Sequence, residues 1–338
     1  MGLFNRIFTP TMIVTALFVG AHHAAQAQTT GLPGDVTSWN QPWYYSMHDP
    51  VWPDHAMSSV TEVEGVAPRL GDTALRFEIR PGECGRDDTW SDCENDRGRY
   101  ELAGYDGAHP AGSTHWYAFS IFIPEGTEAL NPTNTTLGQL HEFNQNVVFA
   151  FDLQAQGYTV QNKLLGWGGG QETLIANEDL RGRWHDILVH ATWSADLDTG
   201  SLDIWVNRDL AYEYDGRTMR ENSGRGVFFK FGIYRSFLSR YERMNDGEAA
   251  PTQIVYYDEI HTGSSAAAAD RVGVSEIQSV LAETGHYTSA VDGLWGPGTM
   301  GAVNAWLDEN GHEPVTGYDP SLWHVIVHRQ DPADTSGR

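Results

Sequence analysis

Short apolar segments recur along the chain between about residues 58 and 263, each rich in aromatic and β-branched residues and bounded by Gly, Pro, Asn or Asp. Residues 75–80 alternate between apolar and charged side chains, which is the pattern of a strand with one buried face. Because no helical periodicity separates the segments, they predict a mainly β protein built as a jelly-roll sandwich. The strand-like segments are 74–80, 115–124, 147–153, 184–193, 201–207, 227–234 and 253–261.

The pattern changes after residue 263. Residues 264–271 are small and featureless, which predicts a linker. Apolar residues then recur at helical spacing in three runs, at 274–281, 302–307 and 321–327. A small three-helix domain is therefore expected after the sandwich. The predicted boundaries are a sandwich over 28–263, a linker over 264–271, a helical domain over 272–330 and a tail over 331–338.

The first 27 residues have the layout of a secretory signal peptide. Arg6 precedes an apolar run at 13–19, and Ala25-Gln26-Ala27 follows it as a small-residue cleavage site. We therefore expect a secreted protein, periplasmic or extracellular, that begins near Gln28. No membrane span is expected, because the run is shorter than the roughly 20 apolar residues that a transmembrane helix needs.

The formal net charge of −24 limits the classes of partner. Nucleic acid is not expected, because its binding depends on many Lys and Arg contacts to phosphate. A polyanionic glycan is compatible with this charge only if the binding cleft is locally basic.

Cys84 and Cys93 are the two cysteines of the chain, nine positions apart in a polar, Gly-rich stretch. In an exported protein this arrangement predicts a disulfide that pins a loop, and two cysteines alone cannot build a zinc site. Asp87-Asp88 and residues 196–198 offer oxygen ligands, but they lack the regularity of a calcium-binding loop. We therefore expect no required cofactor, with Ca²⁺ possible only in a structural role.

Three polar stretches, 96–101, 137–143 and 230–235, contain residues that a β-rich core does not otherwise need. Gln139 precedes His141 by two positions, so both side chains share one face of a strand. Arg99 and Glu101 share a face in the same way. That pair could form an internal salt bridge that supports a groove, or it could contact a substrate directly.

These stretches resemble, in order and type, the family of secreted polysaccharide lyases that groups glucuronan lyases with heparin lyase I-like enzymes. Residues 75–80, 182–186 and 255–260 extend the resemblance over nearly all of 58–263. It implies a jelly roll with a long substrate groove. It also implies that an acidic polysaccharide is cleaved by β-elimination, with glucuronan as the first candidate and alginate behind it.

Lyase chemistry explains why these residue types are wanted. Removal of the C5 proton of a uronic acid builds charge on its carboxylate, so the site must neutralise that carboxylate before a base can act. A histidine is the easier base because it titrates near neutrality. The resemblance points to His141 and Tyr234 as the catalytic pair, and we assign His141 as the base and Tyr234 as the acid. The predicted substrate-binding residues are Gln139, Arg99, Lys230, Arg235 and Glu101.

The C-terminal segment resembles the peptidoglycan-binding domain 1 family. The match rests on Val291-Asp292-Gly293-Leu294-Trp295-Gly296-Pro297-Gly298-Thr299 and on the later Val315-Thr316-Gly317. It implies a tether to peptidoglycan or another cell-wall glycan. Thr299 is also a candidate N-cap for the second helix.

Two other functions fit parts of the sequence. A glycoside hydrolase needs two carboxylates paired across the scissile bond, but Asp258 and Glu259 are adjacent and would face opposite sides of a strand. A non-catalytic carbohydrate-binding wall protein would stack sugars on Trp167, Trp184 and Trp193.

Overall fold

The computed structural model describes residues 42–47, 52–143, 146–166 and 169–328. The predicted signal segment 1–27 and the predicted tail 331–338 lie outside these residues. Among the helices of the described ranges, none is both long enough and apolar enough to cross a bilayer.

The sandwich consists of two seven-stranded antiparallel sheets. We call the first one the front sheet. Its strands, in spatial order, are β1 (Tyr44–Tyr45), β4 (Arg97–Ala103), β13 (Val227–Ser236), β6 (Thr135–Glu142), β7 (Val147–Gln154), β8 (Gly157–Asn162) and β9 (Gln171–Ala176).

The other sheet, here the back sheet, has the same number of strands. In spatial order they are β12 (Asp209–Asp215), β11 (Ser201–Val206), β10 (Trp184–Thr192), β5 (Thr114–Phe122), β14 (Gln253–Gly263), β3 (Ala74–Ile79) and β2 (Met57–Val60). All seven segments predicted as strands form strands, and the mainly β sandwich is confirmed.

Aromatic side chains fill the space between the sheets. Phe119 of the back sheet stacks on Phe229 of the front sheet with ring centroids 5.1 Å apart, and Phe77 meets Phe231 at 5.9 Å. Burial of each such side chain contributes about 1.5–3 kcal/mol to folding. Because alternate residues of a strand face opposite ways, the core side chains of β13 leave Lys230 and other residues of the same strand on the outer face.

Five α-helices complete the part of the fold that the structure describes. They are α1 (Leu238–Met244), α2 (Ala266–Ala269), α3 (Arg271–Glu283), α4 (Pro297–Glu309) and α5 (Leu322–Ile326). The last three lie in the range predicted as a helical domain and pack around a separate core that includes Ile277, Val303 and Trp306.

Residues 264–271 differ from the predicted linker. They form α2 and the start of α3, and Ala269 packs on Ala118 and Leu188 of the back sheet. The small side chains of this segment allow its backbone to lie close to the back sheet. Sequence composition alone does not distinguish a small-residue linker from a small-residue contact.

The motif at 291–299 is organised around one buried amide. Gln278 accepts hydrogen bonds from the backbone N–H groups of Asp292 and Gly293, at 3.0 and 2.8 Å. The prediction that Thr299 caps the second helix is wrong, because Gly296 is the N-cap and Pro297 is the first helical residue. Thr299 instead donates a hydrogen bond to the carbonyl of Leu294 at 3.1 Å.

A chain of ion pairs joins the helical domain to the back sheet. Arg208 contacts Asp186 at 2.5 Å and Asp270 at 3.2 Å, while Arg69 bridges Asp186 at 2.7 Å and also pairs with Glu276 of α3. Burial alone would raise the pKa of Asp186, but the two guanidinium groups outweigh it and hold that pKa well below its usual range. The two domains are therefore fixed to each other by buried charges.

Candidate active site

Strands β4, β13 and β6 lie side by side in the front sheet and bring the three polar stretches together. Lys230 pairs with Gln139 across one strand boundary, and Tyr234 pairs with Arg99 across the other. The sheet register thus gathers on one outer face residues that are far apart in sequence. A bulge at Gly232 adjusts β13 between these pairs. Its φ is +133°, and a Cβ there would lie 2.3 Å from the carbonyl oxygen of Tyr100.

Arg99 is fixed by the disulfide-bonded loop that precedes β4. Its Nε and Nη2 donate to the two carboxylate oxygens of Asp92 at 2.7 and 2.6 Å. Its guanidinium also lies over the Tyr234 ring, 4.8 Å from the centroid. Burial alone would lower the pKa of Arg99, but Asp92 and Glu101 outweigh it and keep the guanidinium charged. Cys84 and Cys93 form the predicted disulfide.

Glu101 is a supporting residue, because it is 1% exposed and its carboxylate is fully engaged. It accepts a hydrogen bond from Gln139 and pairs with the Lys230 ammonium at 2.8 Å. Burial alone would raise the pKa of Glu101, but Lys230 and Arg99 outweigh it and lower that pKa. The salt bridge considered between Arg99 and Glu101 is therefore not formed, because Glu101 pairs with Lys230 of β13 and Arg99 pairs with Asp92.

His141 is oriented by the backbone. Its Nδ1 lies 2.9 Å from the carbonyl oxygen of Glu142. A carbonyl only accepts hydrogen bonds, so Nδ1 carries the proton and Nε2 keeps a free lone pair. Burial, and then the charge of Lys230, lower the pKa of His141 to about 4. The imidazole is therefore neutral at pH 7 and can accept a proton at Nε2.

If His141 acts as a general base, this shift predicts an unusually low pH for the loss of activity in acid. A base must be unprotonated, so kcat/KM should stay flat from about pH 8 to pH 5 and fall only as the pH drops through about 4. A histidine with an ordinary pKa would already lose activity below about pH 6.5. Initial rates across this range, together with an NMR titration of the imidazole, measure the effect. An acid limb centred near 6.5 would contradict it.

An open groove runs along this face of the front sheet. One cavity of about 440 Å³ holds His141, Tyr234 and Lys230, and a second of about 700 Å³ adjoins it. The two cavities share five lining residues, which are Arg97, Gln139, Asn146, Val147 and Tyr234. The described lining contains no Asp or Glu, although the whole chain has 45 of them. The basic lining residues are Arg97, Arg99, Lys163, Arg220, Lys230 and Arg240.

Comparison with known sequences decides the family. The sequence profile described as "Polysaccharide lyase" matches residues 33–261, which is more than half of the chain. The chain belongs to the polysaccharide lyase family. The matched segment contains every strand of the groove, and the lyase therefore has its candidate active site inside the family domain.

Solved structures resemble the lyase at low sequence identity. An endo-β-1,4-glucuronan lyase from the fungus Trichoderma reesei is 18% identical, with a TM-score of 0.49, covering 70% of this chain and 95% of that one. Alginate lyase AlgAT5 of polysaccharide lyase family 7 is 18% identical, with a TM-score of 0.39 and coverage of 56% and 77%. An alginate lyase from Pseudomonas aeruginosa is 17% identical, with a TM-score of 0.37 and coverage of 56% and 82%. A comparison with curated proteins finds no match.

Arg235 does not belong to the groove of the lyase, which corrects its predicted place among the substrate-binding residues. Its side chain is 1% exposed and faces the core, where Nε donates to Gln253 at 3.0 Å and Nη2 donates to the carbonyl of Ile79 at 3.0 Å. Strand alternation explains this position, because Arg235 follows Tyr234 directly and the two must face opposite ways.

The residues proposed for the two other functions lie elsewhere. Trp193 is buried in the core, and Trp184 of the back sheet donates its indole N–H to the carbonyl of Ala67 at 2.9 Å. Trp167 lies outside the described residues. Asp258 accepts the backbone N–H groups of Arg69 and Leu70 at 2.8 and 3.2 Å and is not among the groove-lining residues.

Sequence reasoning missed several groove residues of the lyase. Asn95, Trp90 and Asn146 line the catalytic cavity, and Lys163 and Arg220 line the adjoining one. Both lysines of the chain lie in the groove, so the rarity of lysine was a usable signal for Lys163 as well as for Lys230. The loop residues had no such signal, because the position of Trp90 and Asn95 depends on how the loop between β3 and β4 folds, and Asn146 lies in the loop between β6 and β7.

Asp87, in one of the two acidic stretches considered for Ca²⁺, has other contacts. Asp87 accepts the backbone N–H groups of Thr89 and Trp90, both at 2.7 Å, and so stabilises a turn. Over the described ranges, the His, Cys, Asp and Glu side chains form no group of three or more that could hold a metal ion.

Proposed function

We propose that the lyase cleaves a uronic-acid-containing polysaccharide by β-elimination, with His141 as the base and Tyr234 as the acid. The observation that carries this proposal is the composition of the groove. A chain with a net charge of −24 lines one groove with basic, amide and hydroxyl side chains, around a neutral histidine and a tyrosine. Four of the six basic lining residues pair with buried carboxylates that lie outside the lining, which are Asp92 for Arg99, Glu101 for Lys230, Glu142 for Arg220 and Asp152 for Lys163. Donors rather than acids therefore face the groove, which can bind a polyanion even when the whole molecule repels it.

The substrate carboxylate would be bound by groups that are already held in place. Arg99 uses one N–H of Nε and one of Nη2 on Asp92, and its remaining donors are available to a ligand. Lys230 is held by Glu101 and has three donors in total. Preorganised donors of this kind stabilise charge that develops on the carboxylate as the C5 proton leaves.

The proton transfers need only groups of the protein. Nε2 of His141 takes the C5 proton, and the electron pair of that bond forms the C4–C5 double bond. The bond between C4 and the glycosidic oxygen breaks, and Tyr234 gives its hydroxyl proton to that oxygen. The products are a chain with an unsaturated uronate at its new end and a shortened chain with a free hydroxyl.

A substrate panel tests the proposal. The purified protein is incubated with glucuronan, alginate, hyaluronan, heparin and pectate, and the ultraviolet absorbance of the unsaturated uronate is followed. A rise on at least one uronan is the expected result, with glucuronan first because of the resemblance of the sequence stretches and alginate second. Binding of these polymers without any rise in absorbance would overturn the proposal and favour a binding module.

We also propose that elimination uses protein side chains alone and that Ca²⁺ has at most a structural role. Arg99, Lys230 and Gln139 supply the donors that a cation would otherwise provide to the carboxylate. Activity should be unchanged after treatment with EDTA. A loss that Ca²⁺ restores at unchanged thermal stability would contradict this assignment.

For the helical domain we propose attachment to peptidoglycan or a related wall glycan, in a secreted enzyme. The resemblance of the 291–299 motif and the exposed side chains of Val291 and Leu294 support this proposal. Cosedimentation with purified peptidoglycan sacculi tests it, with Leu294→Asp as the variant. Equal recovery of both proteins in the supernatant would reject wall attachment.

A further inference from the structure

The loop between β3 and β4 forms one wall of the catalytic cavity. The Cys84–Cys93 disulfide closes it, and within it Arg86 pairs with Ser91 as a short antiparallel bridge. Trp90 directly follows the turn of this small hairpin, where its carbonyl accepts the backbone N–H of Asp87 at 2.9 Å, and its side chain lines the cavity that holds His141 and Tyr234.

Trp90 is more exposed to solvent than is usual for a tryptophan that only stabilises the fold. It is 47% exposed, and of the tryptophans that the structure describes it alone is exposed to this degree. A large aromatic side chain loses burial energy in such a position. An exposed aromatic ring beside a polar cavity is typical of a surface that binds a ligand with an apolar face.

The ring is nevertheless held in one place. Its indole N–H donates to Asp92 at 2.9 Å, and the backbone N–H of Trp90 donates to Asp87 at 2.7 Å. Asp92 is fully buried and is also the carboxylate that binds Arg99. The position of Trp90 is therefore coupled, through one carboxylate, to the guanidinium that contacts the Tyr234 ring.

The disulfide supports this arrangement from the base of the loop. Cys93 follows Asp92 directly, and the backbone N–H of Asp92 donates to the carbonyl of Gly85 at 2.9 Å, next to Cys84. A Cβ at Gly85 would lie 2.9 Å from the carbonyl oxygen of Arg99, so only glycine lets the loop approach β4 this closely. The covalent link thus fixes the segment that carries both Asp92 and Trp90.

We propose that Trp90 is a sugar-stacking residue of the substrate groove and that the Cys84–Cys93 disulfide holds it in its binding position. This inference rests on the proposed function. A uronic acid ring carries a carboxylate at its edge and C–H groups on its faces. The basic residues would bind the carboxylate, and the indole would cover one C–H face. Trp90 acts in substrate binding, and the disulfide acts as a positioning element.

The test separates binding from chemistry. Trp90→Ala should raise KM about five- to tenfold with little change in kcat, because stacking contributes to the bound state and the transition state alike. Trp90→Phe should recover most of that loss. Trp205→Ala, a half-buried tryptophan on the back sheet, is the matched control and should leave KM unchanged.

The disulfide is tested by the Cys84→Ser/Cys93→Ser double variant. Its KM should rise by a factor similar to that of Trp90→Ala, and adding Trp90→Ala to it should raise KM little further. Thermal denaturation shows whether the variant is folded, and Trp90→Ala keeps the inference testable if it is not. An unchanged KM in Trp90→Ala would overturn the inference while the activity of the unmodified enzyme still upholds the proposed function.

Discussion

His141→Ala should lower kcat by a factor of about 10²–10⁴, because the proposed elimination then lacks the group assigned to remove the C5 proton. KM should change much less, since the carboxylate-binding donors Arg99 and Lys230 remain in place. Initial rates on the polymer that the substrate panel identifies, measured by ultraviolet absorbance, give both constants. His190→Ala is the matched control, because His190 is also half-buried but lies on the back sheet, where it contacts Asp203 at 3.4 Å.

Tyr234→Phe tests the acid in the same assay. Phenylalanine removes only the hydroxyl and keeps the ring on which Arg99 lies. A loss of kcat similar in size to that of His141→Ala, with a nearly unchanged KM, is the expected result. If either variant retained more than about a tenth of the activity, the assignment of that residue would be wrong.

Arg208→Met should lower the free energy of unfolding by about 3–5 kcal/mol, the largest stability change that we expect from a single substitution in this protein. Arg208 is the cation that Asp186 and Asp270 share, and its side chain is 4% exposed. Its removal leaves Asp186 with Arg69 as its remaining cation, and leaves Asp270 with the hydrogen bonds donated by the backbone N–H of Gly273 and the hydroxyl of Tyr318. Denaturant titration followed by tryptophan fluorescence measures the change.

Arg183→Met is the control for that measurement. Arg183 is exposed and directly precedes β10 of the back sheet. Its substitution should change the free energy of unfolding by at most about 0.5 kcal/mol. Because the ion pairs join both domains, unfolding of the unmodified protein should be a single transition. A separate early transition of the helical domain, or a loss below about 1 kcal/mol in Arg208→Met, would show that the junction contributes little.

The sequence was sufficient for the sandwich because each strand that was predicted has its own local signal. Residues 75–80 alternate in polarity, and the structure places Phe77 and Ile79 in the core. The Gln139 and His141 pair was likewise predictable, since two residues on one strand must share a face. The alternation rule also excludes Arg235 from the face of Tyr234, and the prediction overlooked that consequence.

Contacts between distant segments were not predictable. Asp92 binds Arg99 only because a disulfide-bonded hairpin folds back over β4. The composition of 82–93 does not predict which way this hairpin folds. The junction of Arg208 with Asp270 joins residues 62 positions apart. The same small side chains that read as a linker at 264–271 form a packed contact, because flexibility and close packing favour similar compositions.

The most direct test of the central claim is the chemical nature of the new chain end. The digest of the cleaved uronan is separated and analysed by mass spectrometry and ultraviolet absorbance. The account predicts that each new non-reducing end is an unsaturated uronate, lighter than a saturated end by one water, and that these ends disappear with His141→Ala and Tyr234→Phe. Saturated ends that have gained water would show hydrolysis and would contradict the assignment of elimination to this groove.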